Sequence, residues 1–138
     1  MSKLSSLYIR PKTKFAMQFV ADNIKKMSEN NLITIDDLYT LSDKEVINKI
    51  KNCKLDNISE NYKIWENADG VKVTDEKIDD KYFVNVDKVK IRYINPLVNN
   101  NGKYERIKDI SDNAKADIEK ALNYKTKKYI YIDGIKKF

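Results

Sequence analysis

The chain has 138 residues with 27 Lys+Arg against 21 Asp+Glu, a net charge of +6, one cysteine, three glycines and no histidine. The length suits one compact domain, no apolar run approaches the roughly 20 residues of a membrane span, and Cys53 alone forms no internal disulfide, which points to a reducing cytoplasm. The missing histidine excludes Ser-His-Asp and Cys-His catalysis, His-ligated zinc and the usual neutral-pH general base.

Residues 13–29 predict an amphipathic helix. Phe15, Phe19, Val20, Ile24 and Met27 recur at helical spacing, and Lys14, Gln18, Asp22, Lys25, Lys26 and Glu29 cover the other side. Thr13 is positioned to cap its start, and Asn30-Asn31 to end it in the left-handed conformation. Two short helices follow. Thr34 precedes acidic Asp36 and Asp37, and Ser42-Asp43-Lys44-Glu45 has the spacing of a capping box. The helix opened by Ser42 is expected to bury Val46, Ile47, Ile50 and Cys53, the last as a small hydrophobe.

From residue 61 the period changes. Tyr62, Ile64 and Ala68 suggest a short extended segment, Ala68-Asp69-Gly70 a turn, and Val71 and Val73 a return to alternation. Tyr82, Val84 and Val86 share one parity and Val89, Ile91 and Tyr93 the other, which requires a connection near Val86-Asp87-Lys88. Asn95-Pro96 ends that strand, and 99–102, Asn-Asn-Asn-Gly, reads as a loop. Ser111 caps a last helix over about 112–124 with Ala114, Ile118, Ala121 and Leu122 inward. Residues 128–132, KYIYI, read as a final strand. The expected fold class is α+β: amino-terminal helices, then a small, mostly antiparallel sheet and one further helix. It is expected as a single domain over 1–138, with a helical part over about 7–58 and a strand-rich part over about 61–138.

The positive charge is a weak guide to partners. There are 24 lysines, three arginines, 17 isoleucines and 15 asparagines, the composition of an AT-rich genome, whereas arginine is the better phosphate fork. Residues 1–60 hold ten basic against eight acidic residues, 61–102 seven against seven, and 103–138 ten against six, so no basic arm stands out. Three scattered glycines build no phosphate loop. The carboxylate pairs Asp36-Asp37, Asp75-Glu76 and Asp79-Asp80 sit at expected turns or helix starts, where solvated or capping acids are routine. The run Tyr124-Lys125-Thr126-Lys127-Lys128-Tyr129-Ile130-Tyr131 mixes rings and cations as single-strand binders do. The plainer reading packs Tyr129 and Tyr131 on one strand face. Tyr8, Arg10 and Lys12 make a small anion-binding constellation just before the first helix.

Tyr8-x-x-Pro11-Lys12, the helix after it, Leu38 and Leu41-Ser42-Asp43-Lys44-Glu45-Val46 resemble a stretch of HD-domain phosphohydrolases of the dNTP triphosphohydrolase type. There a Tyr-x-x-His-Lys element opens a helix after the catalytic core. Arg92-Tyr93-Ile94-Asn95-Pro96-Leu97-Val98 is similar to the Arg-Tyr-x-Asp-Pro strand end of the bacterial members' carboxy-terminal lobe. The likeness lies mostly in 7–53. Pro11 departs from the family's histidine, and the His…His-Asp…Asp metal site is missing. The resemblance therefore implies a non-catalytic carboxy-terminal region, with Mn or Mg belonging only to a catalytic core outside this chain. It implies that Tyr8 and Lys12 face a nucleotide pocket, that the domain packs on the HD core or self-associates, and that the chain alone is inactive. No catalytic or metal-ligating residue and no cofactor are expected in it. Two other classes stay open: a single-strand nucleic-acid-binding module, with weak binding expected, and a structural or adaptor protein of a mobile element.

Overall fold

The computed structural model describes residues 10–86 and 93–138. The fold is α+β. In chain order the elements are α1 (Pro11–Glu29), α2 (Ile35–Thr40), α3 (Asp43–Lys51), α4 (Ile58–Glu66), β1 (Lys72–Thr74), β2 (Phe83–Asn85), β3 (Leu97–Asn100), β4 (Lys103–Arg106), α5 (Ile107–Ile110), α6 (Asp112–Leu122) and β5 (Tyr129–Tyr131). Two compact units hold them. One is built from 11–86 and 127–138, the other from Arg10 and 93–126. Among the described residues no helix is long and apolar enough to cross a membrane.

The first unit is organised around α1. Its start lies two residues before the expected one, because Pro11 occupies the first helical position, where its fixed φ suits the helix and its missing N–H is not needed. Its end is a Schellman motif. Asn31 is left-handed at φ 57°, its N–H donates to Ser28 O at 3.0 Å, and the Leu32 N–H reaches Met27 O at 2.9 Å. Phe15, Phe19 and Met27 are fully or almost fully buried. Phe19 is the hub of the aromatic core, with Phe15, Trp65 and Tyr82 rings 5.4–5.5 Å from it and Phe138 at 6.3 Å. Ring pairs at such spacings add to the area they bury.

Residues 58–66 form a helix where an extended segment over Tyr62, Ile64 and Ala68 was expected. Ile58, Asn61, Tyr62 and Trp65 follow the helical period, and three of them, Ile58, Asn61 and Tyr62, are buried. The polar residue on that face hides the period from a hydrophobicity reading. Asn61 is satisfied there by exchanging hydrogen bonds with the Lys136 backbone. In α3, Ile50 is fully buried and Val46 and Cys53 pack on the core. Ile47, expected inside, is exposed instead, because it lies off the face that Val46 and Ile50 share at i, i+4.

The three-stranded sheet has the order β1-β5-β2, and both pairings are antiparallel. The expected strand at KYIYI is thus the central one. Val84 stands opposite Ile130 and both are buried, with Tyr82 continuing the inward parity. The chain bends at Asp69, within the expected Ala68-Asp69-Gly70 turn, and the strand after it is present as β1. The expected connection at 87–88 and the alternation over Val89 and Ile91 lie outside the described residues.

The second unit holds an antiparallel hairpin where a loop was expected. Asn100 pairs with Lys103, so Asn101-Gly102 is a two-residue turn, and both residues have positive φ, 53° and 86°. Only residues tolerant of the left-handed region build such a turn. Asn99 Oδ1 accepts the Gly102 N–H at 2.8 Å. The short α5 follows directly, tied back by Ile107 N–H to Pro96 O and by Lys108 N–H to Asn95 Oδ1. Ser111 caps α6 through the Ala114 N–H, as expected, and Ile118 and Ala121 are buried. Leu122, expected inward, is 49% exposed. It is the last residue of α6, beside the C-cap Asn123, where the helix ends.

Candidate docking surface

The Schellman turn after α1 and the buried anchor Ile33 fix where α2 begins. The Thr34 hydroxyl accepts the Asp37 N–H at 3.0 Å while the Asp37 carboxylate accepts the Thr34 N–H at 3.0 Å. This reciprocal box satisfies two free backbone donors. The Asp37 carboxyl is held below its ordinary pKa, first by the Thr34 backbone hydrogen bond and also by Lys49. Lys49 reaches Asp37 at 3.7 Å, linking α3 to α2. A second box opens α3, where Glu45 accepts both the Ser42 N–H and the Ser42 hydroxyl. Those bonds lower the Glu45 pKa.

These local devices hold α2 in a well-specified place, yet the helix has no buried residue. Ile35, Leu38 and Tyr39 are 69%, 43% and 86% exposed. Their i, i+3, i+4 spacing puts them on one stripe. Leu32 beside it is also exposed. Next to the stripe, Leu41 and the α3 residues Glu45, Asn48, Lys49 and Asn52 line a shallow groove of ≈ 380 Å³. Residues 32–49 carry four carboxylates, Asp36, Asp37, Asp43 and Glu45, against two lysines, Lys44 and Lys49, within a chain of net +6. The surface is therefore apolar at its centre and acidic around it. Scattered apolar side chains are ordinary on a protein surface, and a contiguous apolar stripe is a candidate interaction face.

The anion-binding constellation is placed only in part. Tyr8 lies outside the described residues, Arg10 is exposed, and Lys12 is exposed in the first turn of α1. One carboxylate of each pair serves a structural end. Asp37 is a helix cap, Asp75 accepts from Lys127 Nζ and the Lys128 N–H, and Asp79 pairs with Lys77. No cluster of three or more Cys, Asp or Glu residues is placed to hold a metal ion among the described residues.

The Lys/Tyr segment is split by the fold. Tyr124 follows α6 in the second unit, while Tyr129 and Tyr131 point from the same face of β5 in the first. Phe83, which sequence reasoning missed, joins that face from β2, 5.2 Å from Tyr129 ring to ring and edge-on. Cross-strand pairing brings these residues together, and no local signal could have announced it.

No protein-family model matches the chain, and neither a curated protein nor a solved structure is significantly similar to it.

Proposed function

We propose that the chain is a non-catalytic α+β domain that packs on the catalytic core of an HD-type nucleotide phosphohydrolase through the apolar face of α2. The observation that carries this reading is the stripe Ile35, Leu38 and Tyr39, held in place by two capping boxes and left exposed among the described residues. A helix of six residues has no stability of its own, and covering such a stripe removes apolar area from water. Each side chain fully buried this way contributes about 1.5–3 kcal/mol. The acidic surround favours a basic rim on the partner, since complementary charge steers encounter and fixes orientation. In this reading the start of α1, with Tyr8, Arg10 and Lys12, lies on the nucleotide side and supplies phosphate contacts but no chemistry.

The test is co-elution with an HD-type dNTP triphosphohydrolase core stripped of its own carboxy-terminal region. Complex formation that is lost in the Leu38→Lys, Tyr39→Lys variant supports the reading. A wild-type chain that leaves the core unbound removes the HD assignment.

A further inference from the structure

The sheet of the first unit has an outer face that the docking surface does not use. Antiparallel register puts Lys72, Tyr131 and Phe83 in one row across the three strands, and Thr74, Tyr129 and Asn85 in the next. The three rings are half-buried, standing on a rigid sheet whose other face is anchored by Val84 and Ile130. Phe83 and Tyr129 pack edge to face, and Lys81 Nζ lies 4.9 Å from the Tyr131 ring centroid. Beside Tyr131, Thr74, Lys77, Ile78 and Lys81 help to line a cavity of ≈ 210 Å³, together with Glu76 and Asp80. The basic groups on this face are Lys72 and Lys81, which share Asp133, Lys77, which pairs with Asp79, and Lys127, which pairs with Asp75.

We infer that this face is a stacking platform for single-stranded nucleic acid. Two rings on a central strand and a third on its neighbour offer π-faces to unpaired bases, which stack without regard to sequence. Alternation along β5 sets its two rings about 6.6 Å apart, so each ring serves a separate base. The lysines supply the phosphate contacts. Of their carboxylate partners, Asp75 and Asp133 are half exposed, and pairs of that kind are weak and screened by salt, so a phosphate displaces them readily. Four lysines, Lys72, Lys77, Lys81 and Lys127, stand against Asp75, Glu76, Asp79, Asp80 and Asp133, so this face has no local excess of positive charge. Stacking therefore carries more of the binding than charge does. A shallow salt dependence follows, with a log-log slope no steeper than about −2, the value for three phosphates on a single strand. A duplex keeps its bases stacked on one another and gains nothing from the rings.

The test uses labelled oligothymidylate of about 12 nucleotides, within the length one small module covers. Wild type should bind it, and the Tyr129→Thr, Tyr131→Thr variant should bind at least about tenfold more weakly, as expected from losing two stacking surfaces. Threonine keeps the β-branched preference of the strand. Tyr124→Thr should bind as wild type does. Amide chemical shifts of the wild-type chain give a reading that needs no variant: perturbation should centre on 72–74, 83–85 and 129–131. Equal binding by the double variant, competition by duplex as effective as by single strand, shifts confined elsewhere, or no binding at all would each overturn the inference. The Leu38→Lys, Tyr39→Lys variant should bind the strand normally, which separates this platform from the docking face.

Discussion

Asn61 and Lys136 exchange two hydrogen bonds: the side-chain amide donates to the Lys136 carbonyl at 2.8 Å, and its oxygen accepts the Lys136 N–H at 3.0 Å. A fully buried asparagine on α4 thus acts as one more strand partner for the carboxy-terminal segment. That segment carries Ile135, fully buried, whose carbonyl accepts the Tyr82 N–H, and Phe138, whose ring packs on Phe19 and Tyr82.

Asn61→Ala leaves both backbone groups of Lys136 without a partner, and we expect it to cost about 2 kcal/mol, the scale of an unmet buried hydrogen bond. Ile135→Ala, which opens a cavity beneath the same segment, should cost about 3 kcal/mol. Urea unfolding of the two variants measures both. Wild-type stability in Asn61→Ala would mean that the clamp holds nothing.

Asn23 presents the opposite case. It is fully buried on α1, its amide donates to Phe19 O at 2.7 Å, and its Oδ1 has no hydrogen-bond partner among the described residues. Asn23→Leu keeps the branched shape and heavy-atom count and removes an unsatisfied oxygen, offset in part by its larger methyl groups, so the variant should be more stable by about 1 kcal/mol. A loss of stability in the same urea titration would show that the amide is needed where it stands.

The pH dependence follows from the titrating groups. Lys72 and Lys81 lower the Asp133 pKa, Lys127 and then the Lys128 N–H lower that of Asp75, and the caps lower those of Asp37 and Glu45. A depressed carboxyl stabilises the fold above its unfolded pKa. Stability should therefore fall as pH drops below about 4. With no histidine in the chain, stability should stay flat between about pH 5 and 8. Tyr82 is pushed up, first by burial and then by its hydrogen bond to Asp22 at 2.6 Å, and Lys51, Lys72, Lys81 and Lys127 are raised by carboxylate partners. Raised groups stabilise the fold below their unfolded pKa, so a second loss should set in above about pH 10. Thermal melts across the range check all three segments, and a step near neutral pH would contradict the assignment.

The isolated chain should release no phosphate or triphosphate from the four dNTPs with Mn²⁺ or Mg²⁺. It has no histidine, and of its carboxylate pairs Asp37 supplies a capping contact and Asp75 an ion pair. Turnover that survives purification and disappears on substitution of one carboxylate pair would contradict this.

The helix ends were legible because capping is local. Ser42 with Glu45, Thr34 with its acidic first turn, and Asn30-Asn31 declare themselves within four residues. The α4 helix was not, because Asn61 interrupts its apolar face and its partner is 75 positions away. The Asn101-Gly102 turn carried a readable hairpin signal, but the asparagines around it lack the alternation that marks strands. Cross-strand neighbours such as Phe83 and Tyr129 are invisible locally, since β5 enters the sheet between β1 and β2 from the far end of the chain. For the docking face, the Ile35-Leu38-Tyr39 spacing is visible in the sequence. That the stripe is left uncovered is a fact of tertiary packing alone.

The measurement that bears most directly on the central claim is sedimentation velocity of the isolated chain across a wide concentration range, beside the Leu38→Lys, Tyr39→Lys variant. Both positions are exposed, so the substitutions should shift stability by no more than about 0.5 kcal/mol. An uncovered apolar face should make the wild-type chain associate as concentration rises and bind a hydrophobic dye, and both properties should vanish in the variant while its circular dichroism is unchanged. A wild-type chain that stays monomeric throughout and binds no dye would contradict α2 as a docking surface.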